Sequence, residues 1–598
     1  MKLLSFSIPQ NDQNIGFRSL KPGFEIIFHS DLNESTMTKF RPFCFAGLNG
    51  SGKSNVLEAL ANIFYHLEVM SARILPDSIR SQKNFKRNES PVDVFKLEYL
   101  IGLKNVPSDS IESLTKVTIT KEFGLEPIMQ IKPYPFDDGT EPSTILFEVG
   151  EESSAPTKIF LPDHIVGYSS GENELLSLPF IKSRFLQLDE YKEATKSNVR
   201  EYKEPENSLI YIDNDMSQAV LLSCLLFENE TTLAPLRDIN NTGILDLRRF
   251  TIYLTYQKFD FQKKSENVFR ILQGYQTRSD TTGELPKQIE KLKQCATCWY
   301  EDEDGISLDF YVCEATKDAF KAHFGSAFEL FQVFHLFYIL NNHFVDNRNV
   351  EDVYQSKGNY TDWKVPIGGP ADDAFYFLKY YLIKEEKKSK KISDRLLREL
   401  SDGEHQFLHT TAICLMLKSK RTLLLLDEPE THFNPSWRAK FIKILNESIE
   451  ASQHKKEGNV SRDEPRQHNG NIHLRKDILL TSHSPFIISD CMPDNVILFE
   501  RNDDGAITAK KVSELDNAFN TYGTSVELIL DKLFGYNQSI GDLSFSDIEA
   551  IDIESANSFE EIEGIKSKLR KLGESIEKDM VLSQLNTKIR NKRDAQNI

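Results

Sequence analysis

The string Gly47-Leu48-Asn49-Gly50-Ser51-Gly52-Lys53-Ser54 constrains this chain more than any other feature. Its G-x-x-x-x-G-K-S spacing turns the backbone tightly, so that successive N–H groups point at one anion, as in a phosphate-binding loop. Such a loop needs a strand before it and a helix after it. Phe43-Cys44-Phe45-Ala46 is an apolar run fit for a buried strand, and Asn55-Val56-Leu57-Glu58-Ala59-Leu60 reads as a helix start. Lys53 is placed to reach β- and γ-phosphates, and the Ser54 hydroxyl to ligate Mg²⁺. The expected fold class is α/β.

The other half of the site lies far downstream. Leu423-Leu424-Leu425-Leu426 is a short, fully apolar run, as expected of a parallel strand buried on both faces, and it ends in Asp427-Glu428. A carboxylate at the C-terminal end of such a strand sits where Mg²⁺ needs a partner, which suits Asp427; Glu428, pointing elsewhere, is the candidate general base for an attacking water. Ile478-Leu479-Leu480-Thr481-Ser482-His483 repeats the pattern, with the His483 imidazole placed to sense a γ-phosphate.

Leu400-Ser401-Asp402-Gly403-Glu404 resembles the L-S-x-G-E signature of ABC-type ATPases and precedes the carboxylate strand, in the order those proteins use. With Asp427 to Pro435 and Thr481 to Pro485, the chain resembles the SMC/RecF/OLD branch of soluble ABC ATPases. The resemblance implies an ABC-type P-loop head that binds ATP and Mg²⁺. Gly47, Asn49, Gly50, Ser51, Gly52, Lys53, Ser54 and Asn55 would hold the nucleotide, Ser54 and Asp427 the metal, with Glu428 and His483 catalytic. Ser401, Gly403 and Glu404 would act on ATP held by a second copy, through a hydroxyl and a helix N-terminus, so that hydrolysis needs a head-to-tail homo-oligomer with ATP sandwiched in it. His432 to Pro435 would cross that seam.

Composition narrows the partners. No apolar run approaches the ~18 residues a membrane helix needs, the N-terminus lacks a signal-peptide pattern, and seven scattered cysteines suit reduced thiols, so a cytoplasmic protein with no membrane segment in this chain is expected. A formal charge of −18 excludes a surface that binds nucleic acid throughout. DNA contact would need a local patch: Arg80, Lys83, Lys86 and Arg87, or Lys384, Lys387, Lys388, Lys390 and Lys391; each reads first as a solvated lysine-rich linker or helix face, and neither is interleaved with enough aromatic residues to suggest a stacking groove.

Residues 1–64 and 394–540 should fold together as one head around an inserted region, 65–393, with a tail over 541–598. The insertion lacks sustained heptads and carries Pro, Gly and aromatics throughout, so it reads as compact mixed α/β and not as a coiled coil. Within it, Gly167 to Glu174 mimics a second signature and is expected as a loop near nucleotide. Asp213 and Asp215 have the D-x-D spacing of a metal site but read as turn carboxylates after a strand, and Cys295, Cys298 and Cys313, with His323 nearby, read as ordinary buried thiols rather than a zinc site. Gln453 to Arg475 reads as a polar surface excursion. The tail reads as a charged helical hairpin without a core of its own, to be docked on something else. The stretch from Thr521-Tyr522-Gly523 to Ile576-Glu577-Lys578, and the loop from Gly167, are similar to the ATPase subunit of Septu-type antiphage defence systems. That resemblance implies a separate HNH-type effector nuclease as partner, and in some systems a retron with its RNA and DNA. A RecF-like DNA-repair ATPase and an OLD-like ATPase–nuclease acting alone remain the alternatives.

Overall fold

The computed structural model describes residues 1–30, 41–72, 75–81, 83–103, 111–136, 139, 141–147, 156–170, 174–196, 205–238, 242–255, 284–302, 305–358, 373–417, 420–450, 476–556 and 558–596. The chain is α/β, and it divides into two compact units, Met1–Tyr522 and Gly523–Ile598.

The apolar runs of the sequence meet in one seven-stranded sheet of the first unit. Its order is Ile507–Lys511, Val496–Arg501, Phe43–Ala46, Lys476–Thr481, Thr422–Asp427, His164–Ser169 and Leu209–Tyr211. All neighbours are parallel except the first pair. Three of these strands, Phe43–Ala46, Thr422–Asp427 and Lys476–Thr481, are buried at every position, which is why they read as continuous apolar runs without alternation. The helix after the phosphate-binding loop, Lys53–Met70, is buried from Val56 to Met70. Phe64 and Leu67 share a core with Phe45 and Leu425 of this sheet and with Phe6, Leu97 and Tyr99 of a second. The helix is thus enclosed all round, so it shows no amphipathic stripe.

That second sheet is antiparallel and six-stranded: Phe24–Ile27, Lys2–Ile8, Phe95–Gly102, Leu114–Lys121, Ile128–Pro133 and Ser143–Ile145. The third is antiparallel and five-stranded: Cys298–Glu301, Gly305–Tyr311, Ile244–Thr255, Phe375–Glu385 and Ile392–Leu396. Residues 65–393 therefore contribute strands to all three sheets. The physical reason lies in the edges: the strand pair His164–Ser169 and Leu209–Tyr211 extends the parallel sheet beyond the carboxylate strand, and Phe95–Gly102 covers the N-terminal strand.

The second unit holds Val526–Phe534, Asp542–Glu549, Phe559–Leu569 and Ile576–Gln596, all helices. It corrects the expectation of a coreless hairpin. Ala556, Ile562, Leu569 and Leu585 are buried together, with Ile565, Leu582 and Ile589 packed against them. Apolar residues at 562, 565 and 569 face those at 582, 585 and 589 at helical spacing, and Ile551 and Ile553 from the preceding segment close the end. The unit also begins at Gly523, ahead of residue 541.

Candidate functional site

The phosphate-binding loop leaves its strand at Ala46 and enters its helix at Lys53. Gly47, Gly50 and Gly52 all have positive φ. Gly52 holds φ +92°, which L side chains rarely adopt, and a Cβ there would also press on the end of the Ile507 side chain at 2.2 Å. The crest, Leu48 to Gly50, is exposed, with Asn49 at its top. Ser51 is buried and its hydroxyl finds no partner. Lys53 Nζ donates to the carbonyls of Gly47 (2.9 Å) and Leu48 (3.1 Å), folding the ammonium over the loop. Burial pulls its pKa down to about 8 against the opposing charges of Glu428 and Asp427. Asn55 donates to Ser19 Oγ and lies in the first turn of the helix.

The strand order brings the distant carboxylates to this loop. Ser54 Oγ donates to Asp427 Oδ1 at 2.8 Å, joining residues 373 apart in sequence. Thr481 Oγ1, from the strand between the two, donates to the same oxygen at 2.7 Å and accepts from the Glu428 backbone N–H at 2.9 Å. A hydroxyl and a carboxylate oxygen side by side at the end of a phosphate-binding loop are the hard oxygen donors that Mg²⁺ takes, so Ser54 and Asp427 fit the metal assigned to them.

Glu428 has φ +47°, a left-handed conformation that a non-glycine residue rarely holds. His483 Nε2 lies 3.2 Å from Glu428 Oε1. That hydrogen bond, with the charge of Lys53 behind it, holds the Glu428 carboxyl below the ordinary glutamate range although it is half-buried. The group is ionised and partly open to solvent, as a base for water must be. Two neighbours were not assigned a role from the sequence. Thr481 is the hydroxyl that ties both carboxylate residues together; the only sequence signal for it is its position as the last residue of an apolar strand. Glu430 is fully buried, accepts from Ser482 Oγ, and is pushed up to about 7 by that burial.

The signature residues cap their own helix. Ser401 is the N-cap of Asp402–Met416, and Ser401 and Glu404 form a reciprocal capping box. Lys384 of the five-stranded sheet ion-pairs with Glu404. Gly403 is a glycine for a close approach: a Cβ there would sit 2.6 Å from the His432 carbonyl oxygen. The His432 N–H in turn donates to Gln406 Oε1 at 3.0 Å, so the signature helix and the loop at His432 to Pro435 are locked to each other. Among the described residues no hydrogen bond or ion pair links Ser401, Gly403 or Glu404 to residues 47–55.

Gly167 to Ser169 form part of a strand beside the carboxylate strand, and Ser170 Oγ donates to Thr431 Oγ1 at 2.9 Å; residues 171–173 lie outside the described residues. Asp213 caps the helix Asn214–Phe227 and pairs with Arg184, in keeping with a turn carboxylate; the Asp215 side chain lies outside what is described. Among the described residues no cluster of His, Cys, Asp or Glu could hold a metal; Cys295 is buried, but Cys298 and Cys313 are exposed, against the expectation of buried thiols, because each stands at a solvent-facing strand or helix start. In the first basic patch each cation meets a carboxylate: Arg80 with Asp77, Lys83 with Glu351, Lys86 with Glu89 and Arg87 with Glu126. Gln453 to Arg475 lies outside the described residues. No described helix is long and apolar enough to cross a membrane.

A family model described as "AAA domain, putative AbiEii toxin, Type IV TA system" matches residues 315–489, which take in the signature helix, Asp427, Glu428 and His483. No curated protein matches the chain. Two solved structures are similar over 85% of this chain and 97% of their own: the Smc head bound to the C-winged helix domain of ScpA (10% identity, TM-score 0.29), and the recombination mediator RecF with ATPrS (12% identity, TM-score 0.26). Those scores are too low to carry an inference. The family match is to an AAA-type, nucleotide-binding ATPase domain, and the loop geometry supplies the half of the site that lies outside residues 315–489.

Proposed function

We propose that this chain is an ABC-type ATPase that hydrolyses ATP between two head-to-tail copies and uses that cycle to control a separate effector nuclease in antiphage defence. The observation that carries the ATPase reading is the convergence of Ser54, Asp427 and Thr481 on one oxygen, with the Glu428–His483 pair one residue away. Bound Mg²⁺ would supply charge neutralisation across the phosphates. Lys53, now held on two loop carbonyls, would exchange them for phosphate oxygens. Glu428 would accept a proton from water at its Oε atoms, and His483 would hold that carboxylate in place. Two copies are favoured because, among the described residues, Ser401, Gly403 and Glu404 make no hydrogen bond or ion pair to residues 47–55, while Ser401 is exposed at the start of its helix, open to another chain's phosphate.

Glu428→Gln should leave ATP binding intact and slow turnover by roughly a hundredfold or more. Turnover at the unmodified rate would rule out Glu428 as the base. For the two-copy arrangement, Ser401→Arg chains mixed with Lys53→Ala chains should regain some activity through one intact composite site. Mixed dimers that stay inactive would count against it. The nuclease partner, of HNH type, rests on the resemblance to Septu-type subunits, and the Gly523–Ile598 unit is its proposed dock because it is a compact unit apart from the strands of the candidate site and carries exposed charged residues on its helices. Truncation after Tyr522 should keep ATP turnover and abolish co-purification with the product of a neighbouring short H-N-H reading frame; retained co-purification would move the dock to the first unit.

A further inference from the structure

The five-stranded sheet has one dry face and one wet one. Phe250, Ile252 and Leu254 are buried on the dry face beside Phe310, Leu308 and Ile306, and Phe320 of the helix Glu314–His323 packs on Phe250 and Phe310. Strand alternation sends the intervening side chains to the opposite face. The register sets them in transverse rows. In one row Tyr300 is opposite Ser307, Ser307 opposite Tyr253, and Tyr253 opposite Tyr376, whose ring lies 5.3 Å from that of Tyr253. Four residues along, roughly 13 Å away, Tyr311 is opposite Arg249 and Arg249 opposite Tyr381. Thr251 and Lys379 pair between the two rows. Tyr300 is 67% exposed and Tyr311 50%.

Tyr300 and Tyr311 are exposed and Tyr253, Tyr376 and Tyr381 partly so, and their rings offer the flat apolar area that a planar ligand covers. The cations sort into two sets. Arg248 and Arg249 are held by Asp394 and Asp309, so their charge is already answered and their planes serve as contact surface. Lys379 and Arg398 form no ion pair among the described residues. The hairpin that carries Tyr381 ends in a turn with exposed Lys387, Lys388, Lys390 and Lys391. Tyr380 and Tyr381 come shortly before this lysine run in sequence; the fold adds Tyr300, Tyr253 and Tyr311 from neighbouring strands to the face that Tyr381 shares. At the near edge Lys379 and Tyr381 also line a cleft of about 750 Å³ whose far wall is the signature helix at Asp402 and His405.

We propose that the outer face of this sheet binds single-stranded nucleic acid, its bases stacked on the two tyrosine rows and its phosphates reaching the lysine turn. Unpaired bases expose the π-faces that stacking needs, whereas a duplex hides them. This inference goes beyond the ATPase reading and is tested without it. The full chain is titrated by fluorescence anisotropy into labelled oligothymidylate and oligouridylate of about 20 nucleotides and into duplex DNA. One or both single strands should bind more tightly than duplex, the two arms showing which sugar is preferred. Tyr300→Ala with Tyr311→Ala should weaken single-strand binding on the order of tenfold or more, with the melting transition retained, and the matching Tyr→Phe pair should bind as the parent does. Lys387→Ala with Lys388→Ala should weaken binding and flatten the salt dependence, by roughly 0.7 in log–log slope for each phosphate no longer neutralised. Absence of single-strand binding, equal affinity for duplex, or an Ala pair that binds as the parent does would each overturn the proposal.

Discussion

The seven-stranded parallel sheet and the five-stranded antiparallel sheet of the same unit solve opposite problems. The parallel sheet buries its three central strands on both faces, and the groups proposed to do chemistry, Lys53, Ser54, Asp427, Glu428 and His483, stand at or just beyond the C-terminal ends of those strands. The antiparallel sheet buries one face and gives the other to solvent, so it presents a surface and not a point. A polar contact should therefore count for far more in the first sheet than in the second.

Asp477 gives the largest test. It lies at the start of the strand Lys476–Thr481, fully buried, where its oxygens accept from Lys2 Nζ (3.2 Å), the Leu3 N–H (2.7 Å) and His29 Nε2 (3.3 Å). Burial works to raise its pKa, but Lys2 and His29 outweigh it and hold it at about 2. Asp477→Ala leaves Lys2 buried without a partner and should cost about 3–5 kcal/mol, read by denaturant unfolding of the first unit. Asp309→Ala, which frees a partly exposed Arg249, should cost about 1 kcal/mol or less. Equal losses would break the contrast between the sheets. The pH dependence has a definite sign: a depressed folded pKa stabilises above the ordinary aspartate value of about 3.9, and the contribution disappears as pH falls from there through about 2.

Gly403→Ala is the intermediate case. Its Cβ would press on the His432 carbonyl, and overpacking of this kind costs about 1–3 kcal/mol. Thermal unfolding should show that loss, and turnover should fall with it because the signature helix and its neighbouring loop move together. Full stability in the variant would mean that this approach is looser than the structure has it.

The two sheets also differ in how much of them can be read from sequence. The parallel strands were legible because burial on both faces leaves uninterrupted apolar runs, and because the loop and Asp427-Glu428 carry chemistry at fixed spacing. What was missing there was the strand His164–Ser169, whose partner Thr422–Asp427 lies more than 250 residues on; nothing local announces a parallel pairing at that distance. The tyrosine rows of the antiparallel sheet were not legible at all. Tyr300, Tyr253 and Tyr376 come from three strands, and only the register places them side by side. In the C-terminal unit the charged surface of Ile576–Gln596 masked its thin apolar seam, so a folded core looked like a solvated hairpin.

The smallest effect expected concerns Lys53 and separates the two kinds of buried acid–base group at the end of the parallel sheet. In the free chain Lys53 is pulled down to about 8 by burial, so its charge fades as pH rises through that value. Profiles of kcat/KM report the free protein and should fall by a factor of a few above pH 8, while kcat, measured with phosphates already bound against the lysine, should not. Glu430, pushed up to about 7, titrates nearby and faces Ser482 instead of the loop. Glu430→Gln should therefore leave the alkaline limb where it is, and Lys53→Arg, whose guanidinium keeps its charge throughout, should remove the limb even as it lowers the rate. A limb that moves with Glu430→Gln and persists in Lys53→Arg would reassign it to the buried carboxyl, and the folded-back lysine would no longer be the group that grips the phosphates.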